Sequence, residues 1–250
     1  MSSASVPRKT GSSDRAGALR CIITCEHATN FIPPEYAAIF GGDSEVLNTH
    51  RGYDLGAVDI AEECARSLNA PLMLAPVSRL LVDLNRSLTS RELFSEFSWA
   101  MDPEIREEIV RHYYLPYREQ VEKQLSDWIG DGMQVYHLSV HSFSPIFSGT
   151  ERKADIGLLY DPARDAERAF CSRLITEMRR RAPGFVYRRN YPYKGTADGF
   201  TRDLRKKYPP RSYIGIEVEV NQKHHAQRES TWKEIVSVLL FAIGSILSRA

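Results

Sequence analysis

The chain has 250 residues, 42% of them hydrophobic, with four cysteines and a formal charge of +1 at pH 7. That length and apolar content suit one large α/β domain, and a charge near zero gives no bias toward nucleic acid or membrane surfaces. Four cysteines are too few for a disulfide scaffold, and Cys21 and Cys25, if on one strand, lie roughly 13 Å apart, so a reducing, cytoplasmic setting is expected.

Residues 1–17 are rich in Ser, Ala, Arg and Gly and lack an apolar run, which predicts a disordered tail and not a signal peptide, with one folded domain over 18–250. Residues 19–24 read as a strand. A helix is expected over 54–68, with Asp54 as its N-cap and Ala57, Val58, Ala61, Cys64, Ala65 and Leu68 on one face. Residues 71–75 and 80–84 read as two further strands. A long helix over 103–129 places Ile105, Ile109, Tyr113, Tyr117, Val121 and Leu125 at four-residue spacing, with Pro103 in its first turn and Pro116 kinking or dividing it.

Strands follow at 134–140 and 156–160, a helix with a basic last turn at 162–181, strands at 185–188 and 213–220, and a helix at 230–247. The apolar stretch 235–247 is interrupted by Ser237, Gly244 and Ser245 and is too short to span a bilayer, so it is expected to be a buried helix. Alternating strands and helices predict a three-layer α/β/α sandwich around a mostly parallel or mixed sheet. The connections at 88–102, 142–154 and 190–200 are longer than usual, which assigns them to a site.

Polar residues sit at the ends of the apolar runs, where ligands bind in an α/β sheet. His27 and His141 each follow a strand and can share a metal, with an oxygen ligand from Asp54, or from its rivals Asn30 and Glu26. Arg79, Asn85 and Arg86 bracket 80–84; one arginine can fix an anionic substrate while the other stabilises an oxyanion. Glu217 and Glu219 share a strand face, and Glu219, nearer the strand end, suits a general base.

Taken singly, each residue has a plainer account. A strand-end histidine can bond a loop carbonyl, Arg86 can pair with Asp83 or Glu26, and strand-edge glutamates can be solvated. His224 and His225 read as an exposed pair in a loop, and His112 as a polar flank of the long helix. The aromatic and basic loop 190–195 can cover a substrate, with Arg202 and Arg205 following it. There is no His-Glu-x-x-His and no Gly-rich phosphate loop.

Together, Cys25-Glu26-His27-Ala28 with Pro33, residues 50–57, Ser78-Arg79 through Asn85-Arg86, Val140-His141-Ser142-Phe143, 190–199 and 216–222 resemble the N-formylglutamate amidohydrolase family. The resemblance implies kinship with zinc carboxypeptidases and aspartoacylases, a zinc-carboxypeptidase/phosphorylase-hydrolase-like sandwich, and one Zn²⁺ per chain. It makes His27 and His141 zinc ligands, Glu219 the general base, Arg79 an oxyanion stabiliser, and Asn85 with Arg86 binders of a substrate carboxylate. His50 and Arg202 join the substrate-binding set.

Carboxypeptidase relatives place a Glu three residues after the first His, where this chain has Asn30. Asp54 is therefore the expected third ligand, and it matches the family's His-x-x-x-Asp pattern. Pro-His-Ser-Gly of the enzymes that cleave N-formylglutamate is replaced by Glu26-His27-Ala28-Thr29, which points to a broader branch acting on another N-acyl amino acid or amide. The expectation is a cytoplasmic zinc amidohydrolase, monomeric or homodimeric, acting on a small N-acyl amino acid, with no nucleic-acid or membrane partner. Two other classes are a carboxylate-binding protein on the same fold and a metal-free enzyme whose arginines and His141 act on a phosphate.

Overall fold

A computed structural model describes residues 19–227 and 229–248; the tail expected over 1–17 lies outside them. In chain order the first half holds β1 (Leu19–Cys25), α1 (Ala57–Leu68), β2 (Leu72–Leu74), α2 (Glu96–Trp99), α3 (Pro103–Ile109) and α4 (Leu115–Gly130). Then come β3 (Gln134–Phe143), a hairpin of β4 (Ile146–Phe147) and β5 (Thr150–Glu151), β6 (Ile156–Leu159), α5 (Asp165–Arg181) and β7 (Tyr187–Arg189). The chain closes with α6 (Phe200–Lys207), β8 (Tyr213–Asn221), α7 (Lys223–Gln227) and α8 (Glu229–Leu247).

The sheet order is β2-β1-β3-β8-β6-β7. All neighbours run parallel except β6, which is antiparallel to β8. Helices cover both faces, so the expected α/β/α sandwich with a mixed, mainly parallel sheet is what forms.

Period-two alternation divides the three central strands. Cys21, Ile23 and Cys25, then Tyr136, Leu138 and Val140, then Ile214, Ile216, Val218 and Val220 pack into one core with α1, α5 and α8. The residues between them turn to the other face. There Ile22, Val135 and Tyr213 pack at one end with α4, α6 and the 75–93 segment. Toward the strands' C-terminal ends the same face becomes polar, through Glu26, Ser139, His141, Glu217 and Glu219, all buried.

Several expectations shift. Residues 80–84 are not a strand: Leu81 N–H donates to Ser78 O (2.9 Å) and Asp83 N–H to Leu93 O (2.8 Å), so the segment is a chain of turns. Leu81, Val82 and Leu84 still bury their side chains against the sheet, and a short apolar run does not distinguish that from a strand. His224 and His225 lie on α7 and not in a loop; His224 Nε2 bonds Asp155 (2.7 Å) and His225 packs edge-on to Trp232.

Asp54 does not cap α1 with its side chain. The N-cap is Gly56 at φ 76, where a Cβ would come within 2.6 Å of Trp232 and His225. In the long helix, Pro116 lies just after a π-helical turn, Val110–Tyr114, which joins α3 to α4. Proline leaves a carbonyl one turn back without its partner, and the wider turn absorbs the mismatch. The extra residue shifts the apolar stripe, so Tyr114 and not Tyr113 follows Ile109 into the core. Tyr114 Oη then donates to the carbonyl of Arg86 (2.7 Å), and Arg118 one turn on donates to the same oxygen (2.8 Å).

Candidate active site

The polar ends of β1, β3 and β8 open into a cavity of about 590 Å³. His27 lies two residues beyond the end of β1, and its carbonyl accepts the N–H of Asp54 (3.0 Å). The Asp54 carboxylate reaches β3, where Oδ2 accepts from Ser142 N–H (3.3 Å). These backbone ties bring His27, Asp54 and His141 together, one donor atom from each within 4.8 Å of the others.

The two imidazoles are held alike. Nε2 of His27 bonds Asp83 Oδ1 (2.8 Å), and Nε2 of His141 lies 3.1 Å from Glu26 Oε2 and 2.9 Å from Ser139 Oγ. Ser139 Oγ donates to Glu26 (2.6 Å), as does Tyr117 Oη (3.3 Å). A carboxylate only accepts, so in the neutral form each ring would carry its proton on Nε2 and turn an Nδ1 lone pair the other way. Both Nδ1 atoms face Asp54 Oδ2, at 3.3 Å from His27 and 2.9 Å from His141.

Three lone pairs converging on one buried point call for a cation. Although burial works against a charge on His141, its hydrogen bonds to Asp54 and Glu26 push its pKa well above the usual value. Burial likewise opposes ionised carboxylates, yet His27 and His141 hold Asp54, and His27 with Arg79 holds Asp83, well below the usual range, while His141 brings Glu26 down to about 2. Two imidazoles and one carboxylate, each imidazole anchored by a further carboxylate, suit zinc.

Glu219 supplies a second test of that fit. It lies directly across from His141 in the β3–β8 register, and its Oε2 is buried without a hydrogen-bond partner. Burial pushes its pKa up to about 8; His141 and Arg79 pull against that rise, while Asp54 and Glu217 add to it. A buried carboxyl with a free oxygen beside such a cluster is suited to act on a water held by a cation there. Glu217 instead accepts from the Thr201 hydroxyl.

Arg79 stands over the cluster: Nη2 bonds Asp83 (2.9 Å), and Nη1 lies 3.2 Å from His27 Nδ1 and 3.5 Å from Asp54 Oδ1. Arg86 meets Glu92 (2.6 Å), the Asp198 carbonyl (3.3 Å) and, at 3.9 Å, Asp83. Asn85 Oδ1 accepts the first N–H of α6, from Phe200 (2.8 Å), and the residue lines the cavity. His50 is exposed and also lines it.

Not every candidate converges. Arg202 lies on α6, pairs with Asp198 at 3.7 Å and is absent from the cavity lining. Asn30 bonds Asn48 (2.8 Å), and Glu26 faces Nε2 of His141, so neither rival of Asp54 points at the cluster. Sequence reading missed the anchoring roles of Asp83, Ser139 and Tyr117, and it missed Arg152 altogether. The alternation His137, Ser139, His141 was the signal for Ser139; for Arg152 there was none.

Among curated proteins, none matches the sequence. Among solved structures, the chain is similar to a gene product of Agrobacterium tumefaciens, Atu2144, with 28% identity and a TM-score of 0.76 over 92% of this chain and 90% of that one. It shares its fold with an N-formylglutamate amidohydrolase from Ralstonia eutropha JMP134, at 18% identity and a TM-score of 0.67 over 94% of each chain. The model of the N-formylglutamate amidohydrolase family matches residues 19–226, nearly the whole described chain, and so the protein belongs to that family of hydrolases.

Proposed function

We propose that the chain is a zinc-dependent amidohydrolase that cleaves N-formylglutamate or a related N-acyl amino acid. The observation that carries this reading is the convergence of His27 Nδ1, His141 Nδ1 and Asp54 Oδ2 beside the partnerless Glu219 Oε2. Zinc held by these three residues would supply a Lewis acid and lower the pKa of a water to about 7.

Glu219 takes the proton of the attacking water at Oε2 and passes it to the amide nitrogen as the C–N bond breaks. Arg79 donates to the amide oxygen as negative charge builds there. Arg86 and Asn85 bind the α-carboxylate of the substrate, which displaces the exposed Glu92 side chain from Arg86. His50 orients the substrate from the rim, and Arg202 acts on it only indirectly, through Asp198. Four free, buried cysteines support a reducing, cytoplasmic location.

The test is metal analysis of untagged protein, with hydrolysis of N-formyl-L-glutamate assayed before and after chelation and again after zinc is returned. About one zinc per chain and chelator-sensitive turnover are expected. Protein without metal in every preparation would overturn the ligand set, whereas zinc without turnover would reject this substrate.

A further inference from the structure

Among the described residues, each buried arginine but one has several carboxylate or carbonyl partners. Arg118 donates to Asp203 and to the carbonyls of Leu84 and Arg86; Arg164 donates to the carbonyls of Tyr213, Arg205 and Tyr208. Arg205 grips Glu167 and the carbonyls of Gly195 and Gly215. The half-buried arginines of the cavity, Arg79 and Arg86, also have carboxylate partners.

Arg152 is 9% exposed and has no carboxylate or carbonyl partner among the described residues. Its guanidinium makes one hydrogen bond, from Nη2 to Tyr193 Oη (3.2 Å). Rings of Phe147, Tyr193 and Phe143 surround it at 4.4, 5.0 and 5.9 Å from centroid to Cζ. The only sealed, partnerless side-chain polar atoms among the described residues are Glu219 Oε2 and Trp232 Nε1. The remaining donors of Arg152 are therefore not sealed, and the residue lines the cavity.

The backbone holds it there firmly. Its N–H donates to Pro145 O (2.7 Å), and its carbonyl accepts from Nδ2 of Asn221 (2.9 Å), two residues beyond Glu219 on β8. A cation fixed in position, stacked on aromatic faces and left with free donors is costly to bury unless an anion completes it. Its planar fork fits a carboxylate.

We propose that Arg152, with the Tyr193 hydroxyl, is a specificity-determining subsite for a second carboxylate of the substrate, separate from the one at Asn85 and Arg86. The inference deepens the amidohydrolase reading and rests on it. That carboxylate belongs either to the amino acid's side chain or to the far end of a dicarboxylic acyl group.

Two matched pairs separate these sources: N-formyl-L-glutamate against N-formyl-L-glutamine, and N-succinyl-L-alanine against N-butanoyl-L-alanine. In the wild type, kcat/KM favours the acidic member of one pair by about 10- to 100-fold, and the pair that shows it names the source. Arg152→Gln brings that ratio near one, and Arg152→Lys leaves it between. Each ratio is taken within one protein, so a loss of folded enzyme cancels. Ratios near one in the wild type, or equal ratios in wild type and Arg152→Gln, overturn the subsite. If none of the four compounds is hydrolysed, they are rejected as substrates independently of the subsite, and calorimetric titration with the same compounds decides the subsite. Tighter binding of an acidic member that Arg152→Gln abolishes supports it; equal binding within both pairs overturns it.

Discussion

Along β3, Tyr136, Leu138 and Val140 point into the layer of α1, α5 and α8, while His137, Ser139 and His141 between them point into the opposite layer. β8 repeats the division, with Ile214, Ile216, Val218 and Val220 on one side and Glu217 and Glu219 on the other. One face is a hydrocarbon support whose contribution is burial. The other gives up burial energy to hold charged groups that satisfy one another. Substitutions on the two faces should therefore fail differently, in stability on the first and in chemistry on the second.

The largest separation is expected from Glu219→Gln, which removes the proposed proton carrier and keeps the shape. Turnover of the substrate found should fall by about 10²- to 10⁴-fold, with metal content unchanged. A Glu219→Gln enzyme of normal activity would remove Glu219 from the chemistry. On the opposite face, Leu138→Ala should cost about 2–5 kcal/mol of stability in a urea titration and leave metal binding in the surviving folded protein intact. Lost metal affinity at full stability would break the comparison.

His137 tests the boundary between the two regimes. Its ring is buried between Thr24 Oγ1 (2.8 Å) and Tyr213 Oη (2.7 Å), and burial, helped by Arg205 and His141 and opposed by Glu26, lowers its pKa to about 4. The folded state binds this proton more weakly than the unfolded state does. Its stabilising effect is therefore full above pH 6.5 and is lost as the pH falls toward 4, a change of about 3 kcal/mol. Between pH 7.5 and 4 the stability gap between wild type and His137→Gln should narrow by that amount, and a constant gap would refute the assignment. Smallest is the effect of Glu26→Gln, which keeps a hydrogen-bonding group on His141 but removes the charge. Metal affinity, measured against a competing chelator, should weaken by about 10- to 100-fold, and unchanged affinity would leave Glu26 without a role in the site.

The sequence disclosed the layers and the site's position because both follow from local rules: period-two strands, four-residue helical stripes, and polar residues at strand ends. His27, His141 and Glu219 could be singled out as candidates for that reason, and Asp54 by its place before a helix. What stayed hidden depended on distance. The run 80–84 reads as a strand because apolar character records burial and not hydrogen-bond partners. The role of Asp83 became visible only when the turn placed it on His27, 56 residues away. The shift of Tyr114 into the core needed a π-helical turn that a stripe of fixed period does not foresee. Arg152 lies in a polar hairpin segment, with none of the periodicity that marks a site.

The antiparallel course of β6 bears on how such a site can change over time. Because Ile156 lies opposite Val220, the chain leaves β3 and re-enters the sheet at the same edge, and residues 144–155 form a detour with both feet on fixed ground. Nearby, Gly157 leaves room for the 190–199 loop to cross β6, since a Cβ there would meet Tyr191 O at 1.8 Å. The parts that would choose the substrate thus hang from anchors that the sheet already secures. Their length and composition can drift, or be exchanged by an engineer, while the histidines and the strand that carries Glu219 keep their places.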